Sequence, residues 1–432
     1  MMQNKKFLIT AFLAFIFTFP SDLFGQTAPL NSSEEQILSY PEFLNKLASQ
    51  NLGYLAEQYN INIADAEVEA AKILPDPELS FSAYDNQERR MKMGYGFEVE
   101  LEWDLELGGK RKARRNLAKD ERELTHLELN EYFQDLRTSS TLAFLEALKN
   151  KMHYDIEKKS YESMRSLAQK DSIRYEEGKI KRNRANQSKL EVLAKRNHLQ
   201  DVADEWESSL LEVKNLISVS QHDTVYTPIG DLENFDRVFS LEELIKAAQR
   251  HRVDLKIAQH NSQIADRKID LEKAERVMDL GLSIGVENNS FAKNIIGPTP
   301  GHTAVFAGVS VPLKFSNNKD AGLVTAQYEK EQTKLAHTEL LMQIEKEITC
   351  AFRNYQTKQE QVKAMKPNIE KAKAIFEEEV EDYLKNDTSL LEVLNSERTY
   401  SKMQNDYIHT LYEYASALVK LESLAGIWDI DF

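Results

Sequence analysis

The clearest pattern in the chain is a strict alternation of apolar and acidic residues over positions 97–107, FEVELEWDLEL. Every odd position is apolar and every even position carries a carboxylate. Because successive side chains of a β-strand point to opposite faces, this segment predicts a strand with one apolar face and one charged face. Its length matches the roughly 11 residues that a tilted strand needs to cross a bilayer. We therefore expect a membrane-spanning strand, with an amphipathic edge strand of a soluble sheet as the alternative.

In the wall of a barrel, the apolar residues would face lipid and the acidic residues would face a water-filled lumen. The predicted lipid-facing residues of this strand are Phe97, Val99, Leu101, Trp103 and Leu105. The predicted acidic ladder in the lumen consists of Glu98, Glu100, Glu102, Asp104 and Glu106. A later segment repeats the apolar alternation at Val305, Ala307, Val309 and Val311, which we also expect to face lipid.

The two halves of the chain resemble each other, which indicates a duplication. Residues 79–86 correspond to residues 282–289, an offset of 203, and further along the offset settles at 208, where Tyr175 corresponds to Tyr383. The offset changes only between elements and in the hairpin tip, where insertions cost little free energy. We interpret the chain as two copies of one large unit.

Each unit is predicted to contain a helix, a β-hairpin, a long helix and a further helix. The predicted domains are a first structural repeat over 26–218, a linker over 219–240 and a second structural repeat over 241–428. The elements of the first repeat are a helix over 37–73, strands near 78–87 and 93–107, a long helix over 110–176 and a helix over 184–218. Those of the second are a helix over 241–276, strands near 279–291 and 302–315, a long helix over 319–384 and a helix over 389–425.

The two long helical patterns would each extend roughly 100 Å, which indicates coiled-coil packing. Pro367 is expected to break or kink the second of them. The four predicted strands of one chain cannot close a barrel, because about eight strands are the practical minimum. Several copies of the chain would have to share one wall.

The first residues predict export from the cytoplasm. Lys5 and Lys6 precede an apolar run over 7–19, and Pro20 and Gly25 follow it. This order is typical of a secretory signal peptide, predicted over 1–25, with cleavage after Gly25 or after Ala28. No later stretch approaches 18 consecutive apolar residues.

Composition and the reactive residue types argue against several functions. The formal net charge of −15 makes nucleic acid a poor partner. The single cysteine, Cys350, excludes an intrachain disulfide and is expected to be a small buried hydrophobe or, less favoured, a free thiol. The nine histidines include no pair spaced three or four residues apart and no HExxH motif, so we expect neither a metal site nor a cofactor. Paired carboxylates could serve a glycosidase, but no sugar cleft or aromatic platform accompanies them, and no enzyme is predicted.

Two motifs carry a family resemblance: LPDPEL at 74–79, which enters the first strand, and LGGKR at 107–111, which leaves the second. With the duplication, they resemble the TolC-like outer-membrane factors, the outer membrane efflux protein family, and look nearest to its heavy-metal efflux branch. The resemblance implies a mainly α fold with a transmembrane β part. In it, three identical chains form a 12-stranded barrel that continues as a periplasmic α-helical coiled-coil barrel.

The resemblance also assigns roles to the helix tips and to the strand-to-helix turn. It implies that the periplasmic tips dock an adaptor protein and form the closing aperture, with residues Tyr175, Gly178, Ile180, Tyr383, Asn386, Asp387 and Ser389. Asn386 stands where the family pattern has glycine, and Lys181, Arg182 and Arg184 make the first tip unusually basic. The strand-to-helix turn comprises Gly108, Gly109, Lys110 and Arg111, which lack the spacing of a phosphate-binding loop and instead begin a basic collar.

The expected function is that of an outer-membrane exit duct in a tripartite efflux system, which extends into the periplasm and passes small molecules or metal ions. Its expected partners are two further copies of itself, outer-membrane lipid, a periplasmic adaptor protein and, indirectly, an inner-membrane pump. A soluble periplasmic coiled-coil scaffold and an exit duct for type I protein secretion are the alternatives. The acidic ladder either favours cations or is simply solvated, and the sequence leaves both open.

Overall fold

The structure is a computed structural model that describes residues 35–85, 92–219, 225–232, 237–313, 321–385 and 388–430. The first half contains β1 (Glu35–Leu38), α1 (Tyr40–Gln50), α2 (Leu52–Ala70), β2 (Glu78–Asp85), β3 (Tyr95–Leu105), α3 (Lys110–Glu176) and α4 (Arg182–Leu216). The second half contains β4 (Val225–Pro228), α5 (Leu241–His251), α6 (Val253–Glu275), β5 (Leu280–Asn289), β6 (His302–Ser310), α7 (Ala321–Lys385) and α8 (Leu390–Ala425). The two halves repeat the same order of helices and hairpin, which confirms the predicted helix-rich, duplicated fold. The signal peptide predicted over 1–25 lies outside the described residues.

The first helix of each unit is interrupted, and the expectation of one continuous helix was wrong in both copies. Asn51 separates α1 from α2: its side chain accepts a hydrogen bond from the Tyr54 N–H at 2.8 Å and donates one to the Leu216 carbonyl at 2.8 Å. Arg252, 201 positions later, separates α5 from α6. The equal placement of both breaks reflects the duplication.

The helices α3 and α7 are the longest elements, with 67 and 65 residues. At about 1.5 Å per residue each extends roughly 100 Å. Along their length α3 packs mainly against α4 and α6, and α7 packs against α8 and α6. α7 is helical without interruption from Ala321 to Lys385, so the chain does not break at Pro367, and a kink there stays a prediction.

The main hydrophobic core joins both halves where α1, α3, α5, α7 and α8 meet. Phe144 lies at its centre, fully buried, with the Tyr40 ring 5.6 Å away. The short strands β1 and β4 pair in parallel and bring the linker back to the start of the first unit. A second, smaller cluster lies near the far ends of the long helices and contains Met164, Leu167, Tyr383, Leu390, Val393 and Leu394. No helix among the described residues is long and apolar enough to cross a membrane. Cys350 is exposed, so the expectation that it is buried was wrong for the single chain.

The two hairpins form one antiparallel sheet with the strand order β2-β3-β5-β6. The inner strands β3 and β5 come from different units and pair along ten residues, from Gly96 opposite Asn289 to Leu105 opposite Leu280. The outer edges of β2 and β6 have no partner strand among the described residues.

Candidate functional site

The register of the sheet places most apolar residues on one face and most polar residues on the other; exceptions include Phe306 on the acidic face and Asn288 and Thr303 on the apolar face. Leu101 of β3 lies opposite Leu79 of β2 and Ile284 of β5, and Ile284 lies opposite Ala307 of β6. The apolar face consists of Leu79, Phe81, Ala83, Phe97, Val99, Leu101, Trp103, Leu105, Leu280, Leu282, Ile284, Val286, Val305, Ala307 and Val309. The residues expected to face lipid in β3 and β6 therefore share one surface, and Val311 follows directly after the end of β6.

This apolar face lies open in the single chain. The side chains of Val305, Phe81 and Leu79 are 73%, 70% and 69% exposed. Soluble monomers rarely expose a contiguous apolar patch of more than a few hundred Å². Four strands of uncovered apolar side chains indicate a surface that another apolar phase covers.

The opposite face of the sheet carries carboxylates without compensating cations. Its acidic residues are Glu78, Glu98, Glu100, Glu102, Asp104 and Glu287, and none of the four strands contains lysine or arginine. Glu98 lies directly opposite Glu287, and Glu78 lies directly opposite Glu102. Like charges on directly opposed residues destabilise a sheet. The carboxylates of this face therefore lower the stability of the sheet.

Glu106 differs from the rest of the predicted acidic ladder. It follows the end of β3, and its carboxylate forms a two-pronged ion pair with Arg114, whose Nη2 lies 3.0 Å from Oε2. The ladder on the strand itself therefore contains four of the five predicted carboxylates. Among the described residues, those four form no ion pair with a lysine or arginine.

The strand-to-helix turn uses two successive left-handed residues, Gly108 with φ +71° and Gly109 with φ +75°. A Cβ on Gly108 would also lie 2.4 Å from Cβ of Val277, so glycine is needed there for space as well as conformation. Lys110 is buried, and its Nζ lies 2.6 Å from Asp279 Oδ2. Lys110, the first residue of the expected basic collar, is therefore buried in an ion pair with Asp279. Arg111, the next residue of the collar, is exposed.

At the first helix tip, Gly178 adopts φ +78° and ends α3, as expected for a left-handed turn residue. Tyr175 is 43% exposed, whereas Ile180 is only 9% exposed and faces inward. Of the residues expected to dock a partner, Tyr175 and Gly178 are accessible at this tip, and Ile180 is not.

At the second tip, Tyr383, which was expected in the docking set, is fully buried, so its side chain offers no surface to a partner in the single chain. Its hydroxyl donates to the Asp171 carboxylate at 2.8 Å and accepts from Arg184 Nε at 3.1 Å. Burial and the bond to Asp171 raise the pKa of Tyr383 to about 12. Because Arg184 also donates to the Thr388 carbonyl at 3.2 Å, one hydrogen-bonded network ties the two tips together.

The residues Asn386 and Asp387, expected at the second tip, lie outside the described residues. Ser389 is exposed and caps α8 in a capping box with Glu392. Hydrogen bonds from Thr388 and from the Ser389 backbone and hydroxyl lower the pKa of Glu392 to about 2. The start of α8 is therefore held in one geometry by local bonds.

One cluster escaped the sequence analysis. His153 and Glu157 lie one turn apart on α3, and His198 of α4 joins them, so that three ligand-type atoms lie within 4.8 Å of one another. The sequence signal of this pair is a histidine four residues before a glutamate, which the spacing between histidines does not reveal. The position of His198 depends on how α4 packs against α3, which no local pattern specifies.

Comparison with known proteins agrees with this geometry. A family model described as outer membrane efflux protein matches the chain twice, over residues 44–218 and 244–427. The double match confirms the duplication. No curated protein matches the sequence.

Solved structures share the fold at low sequence identity. The CmeC outer membrane channel of Campylobacter jejuni superposes with a TM-score of 0.70 at 15% identity, covering 89% of this chain and 86% of CmeC. CusC, a transmembrane channel, gives 0.72 at 15% identity, with 96% and 100% covered. The open state of the Neisseria gonorrhoeae MtrE outer membrane channel gives 0.69 at 13% identity, with 89% and 88% covered.

Proposed function

The chain belongs to the outer membrane efflux protein family, and from this premise we propose that three copies form the outer-membrane exit duct of a tripartite efflux system. The duct conducts cargo passively and performs no chemical reaction. An inner-membrane pump supplies the energy, and a periplasmic adaptor connects the pump to the helix tips of this chain.

The observation that carries the proposal is a sheet with two unlike faces and two unpaired edges. β2 and β6 run in opposite directions, so β6 of one copy can pair with β2 of the next and continue the antiparallel order. Such pairing removes every exposed edge, which otherwise invites aggregation. Three copies give twelve strands, above the minimum of about eight for a closed barrel.

Closure of the barrel would also explain why the sheet has one apolar and one acidic face. The apolar residues would then face lipid, and the acidic residues would line a water-filled lumen. A soluble scaffold, the alternative of a different class, would leave the apolar face in water. Neither that alternative nor type I secretion is favoured by the family match.

The long helices would continue the duct into the periplasm. α3 and α7 lead away from the sheet for roughly 100 Å each and end at the two tips that the Tyr383 network connects. The accessible tip residues Tyr175, Gly178 and Ser389 are the part of the predicted docking set that an adaptor could reach.

The acidic face would favour cations in the lumen. Six carboxylates per chain without a lysine or arginine on the strands would raise the local cation concentration in a narrow pore. Metal ions and cationic small molecules fit this face better than anions. The heavy-metal branch stays a prediction, since CusC and CmeC match with nearly equal TM-scores.

Single-channel recording in planar bilayers tests the proposal. We expect the purified protein to conduct and its reversal potential in a KCl gradient to indicate cation preference. The preference should fall in the double variant Glu98→Gln and Glu100→Gln, because two lumen charges per chain are lost. Glu242→Gln combined with Glu243→Gln, an equal charge change on exposed residues of α5, should leave it unchanged. A protein that never conducts would refute the proposed duct. A cation preference that is unchanged when Glu98 and Glu100 are both replaced would refute the proposed role of the acidic face.

A further inference from the structure

The cluster of His153, Glu157 and His198 brings together two imidazoles and one carboxylate from two helices. His153 Nε2 lies 4.0 Å from Glu157 Oε1, and His198 Nε2 lies 3.9 Å from Glu157 Oε2. The two imidazole rings meet edge to face with centroids 6.3 Å apart. His153 is one α-helical turn before Glu157, so α3 supplies two of the three groups from one side.

Glu157 is the unusual member, because its carboxylate is almost wholly buried, at 2% exposure. Oε1 accepts hydrogen bonds from Ser401 at 3.0 Å and from Asn405 at 2.9 Å. Oε2 is buried and accepts no hydrogen bond from the residues that the structure describes. A buried carboxylate oxygen without a donor costs free energy, and here the unsatisfied oxygen is the one nearest to His198.

The local charge balance admits a cation. Lys195 Nζ lies 3.7 Å from Glu157 Oε2, but its closer partner is Glu397, at 2.7 Å. Glu397 also accepts a hydrogen bond from the Ser160 hydroxyl. With both imidazoles neutral, the two carboxylates and the one ammonium leave the cluster with a net charge of −1.

We propose that His153, Glu157 and His198 form a binding site for a divalent transition-metal cation, which bridges α3 and α4. The ligands are the Nε2 atoms of both histidines and Oε2 of Glu157. The site lies about 35 Å before the tip-proximal end of α3, counting about 1.5 Å per residue over 23 residues. It is independent of conduction, since a chain that transported nothing would still bind the ion.

The donor set determines the class of ion. Two imidazoles with one carboxylate suit Zn²⁺, Cu²⁺ or Ni²⁺, whereas Mg²⁺ and Ca²⁺ prefer oxygen ligands alone. In a tetrahedral zinc site with bonds of about 2.0 Å, ligand atoms lie about 3.3 Å apart. The ligand atoms here lie from 3.9 Å to at most 4.8 Å apart, so each pair must close by about 0.6 to 1.5 Å when the ion binds. His198 is half exposed, which leaves a path for the ion and room for water as a fourth ligand.

The test is zinc binding by the full-length, untagged protein in detergent, measured by equilibrium dialysis and elemental analysis. We expect one Zn²⁺ per chain, and an affinity lower by about tenfold or more in His153→Gln and in His198→Gln. His198 is half exposed, so its substitution should not disturb folding. Co²⁺ added to the parent should give the intense visible absorption of a low-coordinate site, and His198→Gln should abolish it.

The chain supplies a matched control in α8, where His409 Nε2 lies 3.7 Å from Glu413 Oε1 at the same spacing of four residues. Within the described part of the chain no second histidine joins that pair, so His409→Gln should bind zinc as the parent does. Equal zinc uptake by the parent and by the double variant His153→Gln and His198→Gln would overturn the proposal. Loss of uptake in His409→Gln but not in His198→Gln would also overturn it.

Discussion

Replacing Leu101 by arginine separates a lipid-facing sheet from a soluble one. Leu101 is 42% exposed in the single chain and lies between Leu79 and Ile284 on the neighbouring strands. If water covered this face, the substitution would change the free energy of unfolding by about 0.5 kcal/mol or less, as is usual for surface positions. If lipid covers it, arginine near the middle of the strand should cost about 2–4 kcal/mol.

The structure places the expected cost toward the upper end of that range. No acidic side chain lies beside Leu101 on the apolar face, so the guanidinium would have no counter-charge. Leu101 lies four residues from the end of β3 at Leu105, a distance of about 13 Å at 3.3 Å per residue. That exceeds the reach of the side chain toward the nearer interface. A cost of about 4 kcal/mol corresponds to a roughly 700-fold change in the folding equilibrium of each chain.

Urea titration of the protein folded into phospholipid vesicles provides the assay, with the heat-modifiable oligomer on gels as a second readout. Glu100→Arg is the matched control, because it introduces the same side chain one residue away on the opposite face. It should be neutral or stabilising, since it relieves the crowding of carboxylates. Equal effects of Leu101→Arg and Glu100→Arg, or a Leu101→Arg protein that is soluble and folded without lipid, would refute the reasoning.

Two further predictions concern buried polar groups outside the sheet. Arg237→Met should lower the free energy of unfolding by about 3 kcal/mol. The fully buried Glu422 carboxylate would lose its contact with Arg237 Nη1 at 2.7 Å and would keep only hydrogen bonds from neighbouring residues. Tyr383→Phe should cost about 1–3 kcal/mol, because buried Asp171 loses its hydroxyl donor, and should speed amide exchange at the tips. Tyr383 has a pKa of about 12 when folded against 10 when unfolded, so its contribution is complete below pH 10 and is lost as the pH rises through 12.

Both predictions have controls within the chain. Lys246→Met breaks an exposed pair with Glu242 and should change stability by less than about 0.5 kcal/mol. Tyr175→Phe alters the exposed tyrosine of the other repeat and should leave amide exchange unchanged. A difference absorbance titration of the parent against Tyr383→Phe should show a midpoint near 12, and a midpoint near 10 would contradict the buried network.

The sequence predicted those features that a repeated pattern along the chain marks directly. Alternation over 97–107 predicted β3 and its two faces, and the matching segments of the two halves, at offsets of 203 and then 208, predicted the duplication. The pairing of β1 with β4 was missed, because each strand has only four residues and the partners lie 190 positions apart. A local pattern carries no information about such long-range pairing.

The candidate sites depended on tertiary contacts that sequence could not supply. The family resemblance placed Tyr383 with Tyr175 in the docking tips, but Asp171 and Arg184 satisfy the Tyr383 hydroxyl and permit its burial. Glu106 belonged to the alternation by sequence, yet the turn at Gly108 brings Arg114 back to neutralise it. Tyr383 differs from Tyr175, and Glu106 differs from the carboxylates on the strand, in the partners that other elements bring next to it. The residue type is the same or similar in each comparison.

Disulfide cross-linking across the free edges tests the central claim, that copies of the chain join β6 to β2 in one wall. In a Cys350→Ser background, Ser82→Cys on β2 would be combined with Ala304→Cys or Gly308→Cys on β6, all on the polar face. Within one chain β2 and β6 are three strand spacings apart, about 14 Å, too far for a disulfide. We expect oxidised outer-membrane fractions to contain covalent dimers and trimers with at least one pairing, and none with single cysteines. Only uncross-linked monomers from every pairing, in a protein that is folded in the membrane, would contradict the shared barrel.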